Sequence, residues 1–386
     1  MDSDIIIVGG GPAGASAAAR LARDGIRVLL LEEKRMPRHK VCGEFITPES
    51  LPVLERLGVI EEIQKADAQP ITRLTLIASN GITVETSMEE MSNVNRSALS
   101  LSRARLDHIL FDNAARSGAI CLEAMAVKRF LFDNGAPCGV EAMSLDDGKT
   151  VEFKARLIVD ASGRNSRLTL SRRERTVGKR GARLYALKSH LRAVEGIEDQ
   201  VELYFFPEGY GGLSRIEDGL VNLCFIVTER ALTDAGGDPA NTLQRTFMNH
   251  PTARERLAQA RVEGRWMSAG PLAFGTRRLA QDGALIIGDA SGMIDPFTGT
   301  GIQIALRAGE LAAQSIIEAF QSSNGDLFDS ALMSYRALYD QEFGRRMKMA
   351  GLLRRAALSP RPANLLARLL ARAPRIARKI LRSTRA

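Results

Sequence analysis

The stretch IIIVGGGPAGASAAARLARDGIRVLLLEE, residues 5–33, constrains this chain more than any other. It reads as strand, glycine turn, helix, strand. Gly9, Gly11 and Gly14 satisfy the pattern GxGxxG. The first glycine allows a tight turn, the second lets a pyrophosphate approach the backbone, and the third lets helix and strand pack closely. The N–H groups of the helix start then face the phosphates. Strand 27–31 ends in Glu32, about 20 residues on, where an acid accepts hydrogen bonds from ribose hydroxyls and repels a 2′-phosphate. Residues 1–35 therefore predict a dinucleotide-binding βαβ unit. The motif alone does not separate NAD from FAD.

The far end of the chain adds a second signal. ALIIGDASGMIDPFTGTGIQIALRAGELAA, residues 284–313, reads as a buried strand ending in Gly288-Asp289, a turn, and Gly299-Thr300-Gly301 opening a long helix. An acid at a strand end can bond a cofactor hydroxyl. A glycine-rich helix start offers N–H groups and a positive dipole end, which suit the anionic edge of a reduced flavin.

Between these motifs, residues 103–170 look like more of the same domain: a helix over 104–117, a short strand near Ile120, a hairpin at Asp133-Asn134-Gly135 and a strand over 155–160. Residues 71–86 and 182–228 alternate apolar and polar side chains between Asn-Gly and Asp-Gly turns, which predicts antiparallel sheet. The expected fold is α/β: a Rossmann-like, discontinuous cofactor domain (1–70, 97–175 and 266–340), an inserted antiparallel β-rich substrate domain (71–96 and 176–265) and a basic helical tail (341–386). Pro360, Pro362 and Pro374 interrupt that tail.

The net charge of +8 belongs to the tail. The last acid is Glu342, and thirteen Lys or Arg follow it, from Arg345 to Arg385; the chain before them is net −5. A nucleic-acid-binding face is therefore not expected. Leu365, Leu366, Leu369 and Leu370 share one helical face, and Arg368, Arg372 and Arg375 populate another. Such a helix either lies on an anionic membrane surface through residues 345–386 or packs as a lid with its arginines solvated. Cys42, Cys121, Cys138 and Cys224 lack CxxC spacing, and the four histidines show no ligand pairing, so no metal is expected. The strand beginning almost at the first residue is read as leaving no room for a signal peptide. The expected location is cytoplasmic, peripheral on the membrane face where the tail binds lipid.

With both glycine motifs in place, the chain resembles the FAD-dependent oxidoreductases that include geranylgeranyl reductases, aromatic hydroxylases (group A flavoprotein monooxygenase-like) and flavin halogenases. The resemblance implies non-covalent FAD, with Glu32 on the adenosine ribose, Arg103 of SRARLDHIL on the cofactor and the Val127 backbone beside the adenine. It implies Asp289 near the pyrophosphate and ribityl chain, and Gly299, Thr300, Gly301 and Ile302 at the flavin ring. Pro12, Ala13, Glu33, Arg38, Ser162 and Gly288 complete the expected cofactor set.

Two further stretches bear on the branch. PRHKVCGEFITP (37–48) looks like the geranylgeranyl reductase loop whose Cys-Gly pair sits near flavin and substrate. GYGGLSRIEDGLVNLC (209–224) resembles the reductase stretch lining the lipid cavity, with Gly212 and Ser214-Arg215 where that family carries an aromatic and a Phe-Pro pair. This predicts a wider cavity. Hydroxylases carry an Asp where this chain has Ser162, which weakens that branch. The halogenase signature Trp-x-Trp-x-Ile-Pro is absent from a chain with one Trp, and halogenation is set aside. The resemblance thus implies an enzyme acting on a lipophilic substrate (isoprenoid, quinone or polyketide-like), first by hydride reduction of C=C bonds. The alternatives are an NAD(P)H-dependent hydroxylase and a non-catalytic redox sensor. Cys42, Glu44 and Tyr210 are the catalytic candidates. No second GxGxxG exists, so electrons come from transient NAD(P)H or a protein donor.

Overall fold

The computed structural model describes residues 2–164, 166, 168, 183–272, 274–276, 278–293, 296–322 and 326–357. The opening unit folds as its pattern predicts: strand β1 (Asp2–Val8), a helix (Pro12–Arg23) and strand β2 (Val28–Leu31). Ile5, Ile6 and Ile7 are fully buried, as a strand covered on both faces requires. The chain continues through β3 (Phe45–Ile46), β4 (Gln69–Ile71), β5 (Arg73–Ile77), β6 (Thr83–Ser87) and β7 (Ala98–Ser100) to a helix at Arg103–Arg116. Then come β8 (Ile120–Leu122), β9 (Met125–Asp133), β10 (Ala136–Ser144) and β11 (Thr150–Asp160). After residue 182 follow β12 (Leu184–Arg192), β13 (Gln200–Phe206), β14 (Gly209–Arg215), β15 (Val221–Thr228) and β16 (Arg261–Ala269). Short strands β17 (Gly275–Thr276), β18 (Ala280–Gln281), β19 (Ala284–Ile286) and β20 (Gly292–Met293) precede helices at Gly301–Gln321 and Leu327–Ala357.

Among the described residues the strands form two large sheets. The first has order β18-β19-β11-β1-β2-β8, with β10 and β9 added on the β11 side. Its central pairs are parallel, while the β9–β10 hairpin turns at Asn134 and Gly135, both at positive φ. The first helix and the Gly301 helix pack over this sheet in one apolar core.

The second sheet has order β16-β12-β15-β14-β13-β5-β6. It is antiparallel, as expected, except that β5 and β13 run parallel. β5 and β13 are separated in sequence by part of the first sheet, so no hairpin sets their direction. Strict alternation gives this sheet two different faces. Leu213, Leu223, Phe225 and Val227 point into a core shared with Phe247. The opposite face turns toward Phe45 and Phe297.

The last helix runs unbroken across residue 341, where the tail was expected to begin. Residues 358–386, with the leucine face and the three prolines, lie outside the described residues.

Candidate active site

The glycine turn is built by close approach. Gly9 has φ 106°, and a Cβ on Gly14 would meet the Gly9 carbonyl at 2.0 Å. The helix that follows has Gly11 as N-cap and Pro12 in its first turn, with no side chain capping it. Its early N–H groups are therefore available to a ligand. The Gly10 N–H donates to Glu32 Oε2 at 2.8 Å, and the Lys34 N–H to Glu32 Oε1 at 3.0 Å. Glu32 thus leaves the end of β2 folded back toward the turn. Ser162 lies in the turn after β11, beside Gly9. Its hydroxyl donates to Asp160 Oδ1 at 2.5 Å.

A ladder of buried charge extends from Glu32. Arg38 bridges Glu32 Oε2 at 3.2 Å and Asp107 Oδ2 at 2.6 Å, and Arg103 grips both Asp107 oxygens at 2.7 Å. Burial alone would raise the Asp107 carboxyl, but Arg103, Arg38 and Lys40 outweigh it and hold it below the ordinary range. Burial also opposes ionisation of Glu32, and Arg38 and Lys40 again win. Lys40 sits among these groups. Desolvation, with Arg38 and Arg103 nearby, pushes its amine down to about 8.

This arrangement suits a diphosphate. A Cβ on Gly11 would lie 3.7 Å from Arg38 Nη2 and 3.9 Å from Arg103 Nη2, so bare backbone and two guanidinium groups face one space. Arg38 Nε is buried with no hydrogen-bond partner among the described residues. The far motif arrives at the same place: a Cβ on Gly288 would sit 2.8 Å from Ala13 Cβ, which brings the Gly288-Asp289 turn against the first helix. Val127 lies on β9, whose Met125 N–H donates to the Glu32 carbonyl at 2.9 Å. Glu33 is exposed and stands outside the ladder.

An apolar cavity of about 130 Å³ lies between the second sheet and the segments around Gly43–Phe45 and Pro296–Gly299. Its roof includes Gly43, Phe45, Phe297 and Gly299, and Thr300 and Gly301 follow at the start of their helix. Its floor is the inner part of three cross-strand rows, and Ala186, Lys188, His190, Asn222 and Phe205 extend those rows beyond the lining. Ala186, Ile226, Tyr210 and Phe205 form one. Lys188, Cys224, Gly212, Leu203 and Leu76 form the next. His190, Asn222, Ser214, Val201 and Leu74 form the third. Gly212 thus leaves a gap in the middle row where a side chain would stand.

The rows turn polar toward one corner. Glu44 is fully buried, at φ 55°, directly after Gly43. Its Oε1 accepts from Lys188 Nζ at 2.5 Å and from the Arg103 N–H at 2.7 Å, and its Oε2 pairs with His190 Nε2 at 2.7 Å. Lys188 also donates to the Lys40 carbonyl at 3.1 Å. Burial would raise Glu44, but Lys188 and His190 hold it low.

Of the three catalytic candidates, Tyr210 lines the cavity and Glu44 lies behind it. Cys42 is half-buried, accepts from the Glu44 N–H at 3.4 Å and lies against Arg103. Cys224 lines the cavity instead, and burial pushes its thiol up to about 12. One expectation is corrected: the histidines do pair. His39 and His190 meet edge-on, and both lie within 4.8 Å of Glu44 in positions that resemble metal ligation. The Lys188 ammonium already balances that carboxylate, so the cluster reads as an ion-pair network.

The sequence reading missed Asp107, Lys188, His190 and Asn222. The signals were present. Arg103 and Asp107 stand at i, i+4 on one helix. In LYALKSHLR, the alternation that points Leu184 and Ala186 inward also points Lys188 and His190 inward.

Comparison with known proteins agrees with this geometry. Residues 2–338 match the family model described as FAD binding domain. The chain is 28% identical over 365 residues to conditioned medium factor receptor 1 of Dictyostelium discoideum, covering 90% of this chain and 69% of that one. It is 29% identical over 360 residues to digeranylgeranylglycerophospholipid reductase 2 of Methanopyrus kandleri, covering 91% and 85%. It is 24% identical over 368 residues to a 1H-pyrrole-2-carbonyl-[peptidyl-carrier protein] chlorinase of Pseudomonas fluorescens, covering 87% and 80%. A geranylgeranyl bacteriochlorophyll reductase-like structure from Thermoplasma acidophilum superposes with a TM-score of 0.79 at 22% identity, covering 96% and 91%, which shows the fold. This chain belongs to the FAD-binding domain family and is an FAD-dependent oxidoreductase.

Proposed function

We propose that this enzyme adds hydrogen across a carbon–carbon double bond of a lipophilic substrate, with an isoprenoid chain as the first choice. The observation that carries the reading is the cavity: apolar across most of its floor, polar at one corner, and roofed by Gly43 and Gly299. Similarity to a digeranylgeranylglycerophospholipid reductase supports the substrate class. Reduced FAD supplies the hydride. In this reading the early N–H groups of the Pro12 helix, with Arg38 and Arg103, hold the pyrophosphate. Glu32 and Asp289 take cofactor hydroxyls. Tyr210, Leu203 and Ile226 hold the chain of the substrate. Electrons arrive from transient NAD(P)H or a protein donor.

The test is product analysis. Full-length enzyme reduced with dithionite under argon is given a digeranylgeranyl phospholipid, menaquinone or geranylgeraniol. A product heavier by two hydrogens in its isoprenoid chain, with any quinol first reoxidised in air, supports the reading. A product formed only with oxygen and carrying labelled oxygen moves the enzyme to the hydroxylases. A product carrying bromine or chlorine, formed only with oxygen and halide, revives the branch set aside for want of its signature. The chlorinase relative makes that arm necessary.

The same reading puts the enzyme at a membrane surface. No described helix is long and apolar enough to cross a membrane. The thirteen basic residues from Arg345 onward supply a positive surplus, each worth about 1 kcal/mol near an anionic leaflet. Removing residues 359–386 should lower flotation with anionic liposomes and leave FAD content unchanged. Flotation by the full chain should fall as salt rises, since exposed charges are screened within about 8 Å at physiological ionic strength. Equal flotation of both forms would make the tail a packed lid.

A further inference from the structure

Reducing a double bond takes a proton as well as a hydride, and the reading above names no source for it. The polar corner of the cavity offers one. We propose that His190, Glu44 and Lys188 form a proton line that opens to solvent at His39 and ends at the cavity edge beside Ser214 and Cys224, supplying the proton of the reduction. The inference rests on the reductive reading of the cavity.

The line is continuous at its centre: His190 Nε2 to Glu44 Oε2 at 2.7 Å, then Glu44 Oε1 to Lys188 Nζ at 2.5 Å. Its outer end is open, because His39 is exposed and its ring meets that of His190 edge-on, with centroids 5.4 Å apart. Its inner end lies next to residues of the cavity lining in the sheet register. Lys188 stands opposite Cys224, and His190 stands opposite Asn222, which stands opposite Ser214. Asn222 Oδ1 is buried with no hydrogen-bond partner among the described residues, an acceptor for a water or hydroxyl at that edge. Burying a lysine, a glutamate and a histidine together costs stability that apolar packing would not. Glu44 is nonetheless fixed from several sides. Its N–H is held by Cys42, its carbonyl accepts from Ser100 and Leu101, and its carboxylate takes the Arg103 N–H.

The other titratable or charged groups near the line are Glu217, close to His39, Cys42 and Arg103 beside Glu44, and Cys224 near Lys188; the neutral Lys40 carbonyl accepts from Lys188. In the reaction the π bond breaks and two C–H bonds form. One carbon takes the hydride that bound reduced FAD would supply, and the other takes the proton. The line is left one proton short and refills from solvent at His39. His190, Glu44 and Lys188 are positioning residues, since none lines the cavity.

The experiment uses full-length, FAD-loaded enzyme reduced with dithionite under argon, with geranylgeraniol and the isoprenoid enone β-ionone as probes. His190→Ala should slow product formation about 100-fold, the usual contribution of an acid catalyst, with FAD content unchanged. Added imidazole should restore the rate as a function of its protonated fraction, which a merely structural loss would not show. His190→Gln serves if the alanine variant fails to fold. A second readout needs no turnover. The chain has four histidines, so each is resolved by ¹⁵N NMR, and the His190 resonance should shift in Lys188→Met through Glu44. A wild-type rate in the His190 variants, a loss that imidazole leaves unchanged, or an unmoved His190 resonance overturns the proton line and leaves the reductive reading standing. If the wild type reduces neither probe and none of the lipids above, the reductive reading falls and the line falls with it.

Discussion

The cofactor cradle and the polar corner of the cavity are built on one plan with different cations. In the cradle a buried carboxylate, Asp107, lies between Arg38 and Arg103. In the corner a buried carboxylate, Glu44, lies between Lys188 and His190. Arg103 joins the two, with its guanidinium on Asp107 and its main-chain N–H on Glu44. Arginine keeps its proton at any working pH, whereas lysine and histidine exchange theirs. The first cluster is therefore suited to holding a fixed anion and the second to passing protons, although both are equally removed from water.

The largest effect should come from breaking the shared design in the cradle. Asp107→Ala leaves two guanidinium groups facing each other without their carboxylate. It should cost about 3–5 kcal/mol in denaturant unfolding, the usual loss when one partner of a buried ion pair is removed, and should strip FAD on desalting. Lys188→Met should retain FAD. If both variants lose it equally, the two clusters do not divide the work.

A smaller loss is expected at the far motif. Asp289→Ala should weaken FAD retention by about 1–3 kcal/mol, the range for a lost hydrogen bond to a buried partner. Asp326→Ala, on an exposed site, should leave it unchanged. Occupancy by absorbance after dialysis compares the two, and equal occupancy would remove the Asp289 turn from the cofactor site.

Lys40 gives the cradle a titration near neutral pH. Its amine is pushed down to about 8. A diphosphate beside it favours the charged form, so binding FAD takes up a proton wherever the free amine is neutral. Affinity should be level below that pH and fall several-fold as pH rises through it. Lys40→Arg should flatten the curve. A flat wild-type curve would place Lys40 away from the phosphates.

The smallest effect on the cofactor belongs to the cavity floor. A Cβ on Gly212 would meet the Glu202 carbonyl at 3.0 Å and Leu203 Cδ1 at 3.8 Å, so Gly212→Leu fits the row only by filling the cavity. Binding of a lipophilic fluorescent dye should fall while FAD content holds. Unchanged dye binding would show that the dye, and the cavity's capacity, lie elsewhere.

The two regions also differ in how far the sequence disclosed them. The cradle's turn, helix start and Glu32 lie within one short stretch, and glycine spacing encodes their geometry directly. Arg38 and Arg103 were expected at the cofactor, but the carboxylate that ties them together was not, although its i, i+4 spacing from Arg103 was in view. The corner depends on register. Lys188 meets Glu44 only because β12 pairs with β15 in one alignment and the Gly43-Glu44 turn folds over that face. Alternation showed which side chains of β12 point inward, but not what they would meet. The parallel β5–β13 pair was hidden for the same reason, because no local turn connects its strands.

In the reductive reading the cavity presents a double bond to reduced FAD without oxygen. The direct measurement is a single turnover under argon: enzyme reduced to completion, a digeranylgeranyl phospholipid added, oxidised-flavin absorbance followed and the lipid weighed by mass spectrometry. The absorbance should return as the lipid gains two hydrogens, one flavin oxidised for each double bond reduced. Flavin that stays reduced until oxygen is admitted, with lipid unchanged before that moment, would contradict it.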